Sequence, residues 1–359
     1  MSRGRFVTLL LLALLAIGAA VYFSSQRNRN GEETRAALLP GLAGGIAAVD
    51  GITIRRGSAT PSVTLRRQGA VWTVAERDGY PADTLKLRRL LLSLADARVV
   101  EEKTANPANY AVIGVEDPAS PGATGTEISL TTQAAAPAGA EAAAHAAAGA
   151  VIVGKSTGDG SYVRLAGVAQ SKLVTPGISV ETDPHYWIDP SLFDVPVATI
   201  TALEVHPAVG PGYLLRRAAS DASDFALSVV PPGRTALDPK LLAPSPAAFG
   251  NLTAEDVAPA TSVDFSAPAT ATLSLSDGNV LTLRGSAVGD KHWITVASSK
   301  DTALSTKTQG RAYALAAYRY DAIFRPLEQL LQPKPSPPEH APAARATGAH
   351  PRPSAQPPP

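Results

Sequence analysis

A chain of 359 residues that is 45% hydrophobic can bury one large core or two small ones, and with aromatics at only 5% those cores must rest on Leu, Val, Ile and Ala. Its 32 basic and 31 acidic residues leave a formal charge of +1, too little to steer the chain toward nucleic acid. Cysteine is absent, which removes disulfides, thiolate zinc sites, a cysteine nucleophile and a lipid-modified N-terminal cysteine.

The first predicted element is a membrane helix. Arg3 and Arg5 precede an uncharged run from Phe6 to Phe23, and Arg27 and Arg29 follow it. Eighteen helical residues span roughly 27 Å, close to the hydrocarbon thickness and longer than a signal-peptide core. Gly18, Ala19 and Ala20 leave cleavage open. The start-of-chain amine with Arg3 and Arg5 slightly outweighs Arg27 and Arg29, which places the N-terminus inside and the body outside. In a bacterium this predicts a single-pass inner-membrane protein with its C-terminal body in the periplasm.

The predicted organisation is an anchor over residues 1–25, a polar linker over 26–46, a first α+β unit over 47–195, a second over 196–331 and a proline-rich disordered tail over 332–359. In that tail 10 of 28 residues are proline. The fold class expected is α+β: duplicated units of mainly antiparallel strands with one or two helices each. Both units open alike, "GITIRR" with "SVTLRRQGAVWTVAE" in one, "ITALEVHP" with "GYLLRRAASDASDFALSVV" in the other, as alternating strands.

A helix follows in the first unit, with Asp83 as N-cap and Leu87, Leu90, Leu91, Leu94 and Ala95 at helical spacing. In the second, Pro244 and Pro246 must break or shorten its counterpart. "ATLSLSDGNVLTLRG" is then a hairpin turning at Asp277-Gly278. The matching pair "TEISLTTQ" and "AVIVGKS" is separated by an Ala-rich insertion over 133–149, where loop closure costs least. Each unit adds another strand, "GSYVRLAG" or "KHWITVAS", then a last strand and a short amphipathic helix.

"GAVIVGKS", residues 149–156, fits the phosphate-loop pattern G-x-x-x-x-G-K-[ST]. That loop needs irregular backbone between its glycines and a helix after the Lys and Ser. Here Val151, Ile152 and Val153 want to be a strand, and "TGDGSYVRL" gives a turn and another strand, so no nucleotide is expected and Gly154 reads as a strand end.

No catalytic residue, cofactor or metal ligand is predicted. "ETDPHYWIDP" holds the only local polar cluster, Asp183, His185 and Asp189; the simpler reading is that Tyr186, Trp187, Ile188, Leu192 and Phe193 dock the end of the first unit while the polar groups stay wet. Paired arginines at 55–56, 66–67, 88–89 and 216–217 read as solvent faces, although a strip of them could meet anionic lipid or a partner.

These features, from "VDGITIRR" through "PADTLKLRRLLLSLADARVVEE", "ANYAVIGVEDP" and "VIVGKSTGDGSYVRLAG" to "WIDPSLFDV", resemble a bacterial family known as domain of unknown function 4340. The resemblance implies an accessory protein of ABC-type transport systems, with ABC permease and ATPase subunits as partners, and carries over no catalytic residue. The function expected is a non-enzymatic auxiliary or scaffold subunit of a transport or cell-envelope complex. Two alternatives stand beside it. One is a periplasmic binding module for an envelope polysaccharide, peptide or lipid, using a partly exposed surface of Trp72, Tyr162, Trp187 and Trp293. The other is a hydrolase using Asp183, His185 and Asp189.

Overall fold

The computed structural model describes residues 35–120, 122–133, 145–218 and 224–333. The predicted membrane helix lies outside them, as does the tail beyond residue 333. Among the described residues no helix is long and apolar enough to cross a membrane.

Two antiparallel sheets carry the body. The first contains β1 (Val49–Arg56), β2 (Val63–Gln68), β3 (Val71–Val74), β4 (Arg98–Glu102), β5 (Thr126–Gln133), β6 (His145–Thr157), β7 (Gly160–Leu165) and β8 (Ser171–Thr175), in the spatial order β3-β2-β1-β5-β6-β7-β8-β4, with Tyr80–Pro81 added beyond β3. The second contains β9 (Ile200–His206), β10 (Tyr213–Arg217), β11 (Phe225–Leu227), β12 (Asp256–Pro259), β13 (Ala269–Leu275), β14 (Val280–Val288), β15 (Lys291–Ser298) and β16 (Arg311–Leu315), ordered β11-β10-β9-β13-β14-β15-β16-β12. Each of β1 to β8 thus has a counterpart eight places later in the second sheet, and only Tyr80–Pro81 is without one among the described residues. Helices are few, so the body is mainly β within the α+β class.

In each unit the chain leaves the third strand at one sheet edge and re-enters at the opposite edge. In the first unit α1 (Thr84–Asp96) makes this crossing. Asp83 caps it, accepting N–H bonds from Leu85 at 2.9 Å and Lys86 at 3.1 Å, and Leu87, Leu90, Leu91, Leu94 and Ala95 form its buried face. In the second unit the crossing has only two four-residue turns, Pro239–Leu242 and Pro244–Ala247. Pro244 and Pro246 lack the N–H groups that a continuous helix would need.

The hairpin between β13 and β14 turns at Asp277-Gly278: Gly278 has φ 76° and the Asp277 carboxylate accepts the Asn279 N–H at 2.8 Å. Between β5 and β6 the ladder runs on to Gln133↔His145, so residues 145–149 belong to a strand rather than to an insertion reaching 149. The second unit ends in α2 (Thr302–Thr308), β16 and α3 (Ala317–Ile323). After β8 the first unit forms only the short 3-10 turn Pro184–Trp187 where a helix was expected.

Residues from 35 onward are already part of the body and not a linker. Ala37 bridges to Arg98, Leu38 N–H bonds to the Ala97 carbonyl at 2.9 Å, and Leu38, Leu39 and Leu42 are buried. One apolar cluster joins the inner faces of both sheets, including Ile52, Leu65, Ile128 and Val163 from the first and Leu203, Leu215, Leu273 and Leu283 from the second. Backbone bonds fix the end of the first unit to its own sheet edge, Asp83 N–H to Trp187 O at 2.8 Å and Asp189 N–H to Pro81 O at 2.9 Å, and a two-strand ribbon of Ser191–Phe193 with Leu252–Thr253 then joins the two units.

Candidate functional site: the cleft between the two sheets

Where the two units meet there is a cleft of about 270 Å³, lined by His185, Glu255, Asp256, Asp290, Lys291 and His292 together with residues 314–317. Each polar side chain is placed by an element end. Asp256 opens β12 and Lys291 opens β15. Arg77 ends the single turn Ala75–Arg77 that follows β3, and His185 stands in the 3-10 turn capped by Asp183.

The centre is Asp256, which accepts Arg77 Nε at 2.6 Å and Lys291 Nζ at 3.0 Å. Arg77 comes from the first unit and Asp256 from the second, so this ion pair spans the junction. Arg77 Nη2 also lies 3.9 Å from Asp183, whose Oδ1 is 2.6 Å from His185 Nδ1. Beneath, Tyr80 and Tyr313 meet edge to face at 5.9 Å, with the Arg311 guanidinium 5.5 Å from the Tyr80 ring centre. Burial holds the Tyr80 phenol far above its ordinary range and pushes Tyr313 up to about 12, so both stay neutral. The Tyr313 hydroxyl donates to the Lys307 carbonyl at 2.9 Å, and the Tyr80 hydroxyl is buried beside Tyr313.

Asp256→Ala would remove the acceptor of two cations from a site that is largely covered. The expected cost is about 1–2 kcal/mol, below the range for a fully buried pair because Lys291 is half in water. Lys291→Ala should cost no more than about 0.5 kcal/mol. Urea unfolding of the two variants checks both values.

Asp183 titrates abnormally. Burial opposes its ionisation, but the backbone N–H and ring of His185 and the charge of Arg77 outweigh that and hold the carboxyl below its usual range. A depressed carboxyl stabilises the fold above the unfolded pKa and loses that contribution as pH falls through the folded value. Thermal midpoints of wild type and Asp183→Asn should therefore differ near neutrality and converge in acid. The effect is small, since half of the Asp183 side chain is in water.

The other polar residues singled out in the sequence do not converge on this dyad. Asp189 turns to Lys307, with Oδ2 3.2 Å from Nζ, so Asp183, His185 and Asp189 do not form one constellation. Among the described residues no group of three or more His, Asp or Glu is arranged to hold a metal ion. The docking role expected for the neighbouring apolar residues is met: Trp187, Ile188 and Leu192 are buried, and Tyr186 and Phe193 pack against the core.

Nor do the four aromatics form a shared surface. Trp72 and Trp187 lie in the main core at 9% and 2% exposure, Trp293 at 8% belongs to a separate cluster with Ala312 and Ala314, and Tyr162 is half-buried against Tyr110, Val115 and Ile152. With so few aromatics, the fold uses each of them for packing.

The phosphate-loop pattern resolves into strand. Gly154 and Lys155 sit at a register shift within β6, which runs on to Thr157 before the Gly158-Asp159 turn, so Gly154 lies inside a strand and does not end one. A Cβ on Gly154 would lie 2.3 Å from the Ile113 carbonyl oxygen and 2.7 Å from that of Gly114. Lys155 Nζ donates to the Val112 carbonyl at 2.8 Å. The motif therefore clamps the Tyr110–Ile113 turn onto the sheet.

Among the arginine pairs, Arg217 is no solvent face. It donates to the carbonyls of Val197 and Ile200, and its guanidinium lies 4.9 Å from the Phe225 ring centre. The Arg77–Asp256 bond, between residues 179 apart in sequence, is the junction contact that pattern reading misses; nothing local distinguishes either residue.

Two mainly antiparallel sheets of like strand order, fused through a charged and aromatic junction, define the class of architecture. A family model described as Domain of unknown function (DUF4340) matches residues 72–274, more than half of the chain, and the chain belongs to that family. The match begins in β3 and ends in β13, so it spans the junction. No curated protein matches the chain, and no solved structure does.

Proposed function

We propose that this protein is a non-enzymatic auxiliary or scaffold subunit of an ABC-type transport or cell-envelope complex, held in the inner membrane by residues 1–25 with its body in the periplasm. The observation that carries the reading is the junction. Two sheets of the same strand order share one core, and the charged groups at their contact are largely turned on one another. Such a body holds a fixed shape between attachment points, which is what a scaffold needs. The uncharged run from Phe6 to Phe23 supplies one attachment point, long enough for a bilayer.

The test is purification of the full chain from its host in mild detergent, with mass spectrometry of co-purifying proteins. Recovery of a permease and its ATPase, lost when residues 1–25 are exchanged for a cleavable signal, supports the reading. Absence of the protein from the inner-membrane fraction overturns it.

A further inference from the structure

α1 has a second face that the fold leaves unused. Opposite its buried leucines, Leu85, Arg88, Arg89 and Leu92 follow at i, i+3, i+4 and i+7 and so share one stripe, with exposed Asp96 continuing it at the C-terminal end. Leu85 is 74% exposed and Leu92 40% exposed. Arg88 and Arg89 are exposed and make no hydrogen bond or ion pair among the described residues, whereas Lys86 is engaged by Asp83 and the Tyr186 carbonyl. Two large apolar side chains flanking two unengaged arginines form an apolar and cationic strip on a rigid helix.

Where the chain enters the body indicates what covers this strip. The described residues begin beside the C-terminal end of α1: Ala36 O accepts the Val99 N–H, Leu38 N–H reaches the Ala97 carbonyl, and the Leu42–Gly45 turn lies against α1. Only residues 24–34 separate this point from the apolar run ending at Phe23. At about 3.3–3.6 Å per residue that connector reaches less than about 40 Å, and α1 is about 20 Å long, so the whole helix stays within reach of the bilayer surface. Tethering on that scale holds the strip at an effective concentration on the order of millimolar, enough for a weak contact to persist.

We propose that the Leu85/Arg88/Arg89/Leu92 face of α1 rests on the bilayer that anchors the chain, its arginines meeting anionic phospholipid headgroups and its leucines entering the interface. This rests on the anchored reading above.

Because the chain has no cysteine, single-cysteine variants report cleanly. Full-length Leu85→Cys, Leu92→Cys and a Val209→Cys control at an exposed position in the β9–β10 loop would carry bimane and be reconstituted in vesicles of phosphatidylcholine with or without phosphatidylglycerol. With phosphatidylglycerol present, the labels at 85 and 92 should shift to the blue and lose most quenching by aqueous iodide, while the control does neither. The double variant Arg88→Glu/Arg89→Glu, or high salt, should restore quenching. A chain that floats with the vesicles while both labels stay fully quenched overturns the lipid face and leaves the anchor intact. Protection seen only in host membranes and not in pure lipid overturns it in favour of a protein partner. A chain that does not float removes the anchor and this inference together.

Discussion

Trp187→Ala should cost about 3–5 kcal/mol, one of the largest losses any single truncation in this fold can produce. Trp187 is among the largest fully buried side chains and stands where the first unit passes into the second. Its ring meets Tyr186 edge to face at 5.2 Å, its indole N–H donates to the Glu181 carbonyl at 3.0 Å, and its own carbonyl accepts the N–H of Asp83, the cap of α1. Alanine would open a cavity in the shared core and leave the Glu181 carbonyl without that donor. Trp187→Phe keeps most of the volume and loses the hydrogen bond, so it should fall between the two. Because both sheets border one core, the alanine variant should unfold in a single transition at lower denaturant. A loss below about 1 kcal/mol would mean that the junction does not carry the stability assigned to it.

Contacts made within a few residues are legible in the amino-acid sequence. Asp83 and the leucine spacing specify α1 with its cap and its buried face, and Asp277-Gly278 specifies the β13–β14 turn, because capping and turn chemistry act over two to four residues. The paired "LRR" strands point to two units, and β2 and β10 hold the same place in their sheets. Edge pairing is not legible. That the chain crosses from β3 to the far edge, where β4 pairs with β8, and that residues 36–38 lie beside it, follows from the path of the chain over the core, which no local pattern encodes. The same holds for Arg77 and Asp256. The aromatics mislead for a physical reason: a Trp that lines a ligand surface and one that fills a core look alike in sequence, and with so few in this chain packing claims them.

Gly154→Val is expected to cost about 3 kcal/mol, near the top of the range for overpacking, because the obstruction is backbone and cannot rotate aside. The added Cβ would meet the carbonyl oxygens of Ile113 and Gly114, forcing the Tyr110–Ile113 turn off β6. That turn is fixed by its own chemistry: Gly114 takes a φ of 73° to end it, the Tyr110 hydroxyl donates to the Ala169 carbonyl at 2.6 Å, and Arg164 lies over the Tyr110 ring while donating to the Val115 carbonyl. It cannot follow the displacement without losing these bonds. Lys155→Ala removes one exposed hydrogen bond to Val112 and should cost no more than about 1 kcal/mol. A phosphate loop predicts a different pattern, in which the lysine is required for nucleotide binding and the glycine serves an irregular loop at the phosphates. Denaturant midpoints for both variants, with calorimetric titration of ATP into wild type, separate the two. A large loss at Gly154, a small one at Lys155 and no heat of binding place the motif in the architecture of the first sheet. Heat that disappears with Lys155→Ala would overturn that assignment.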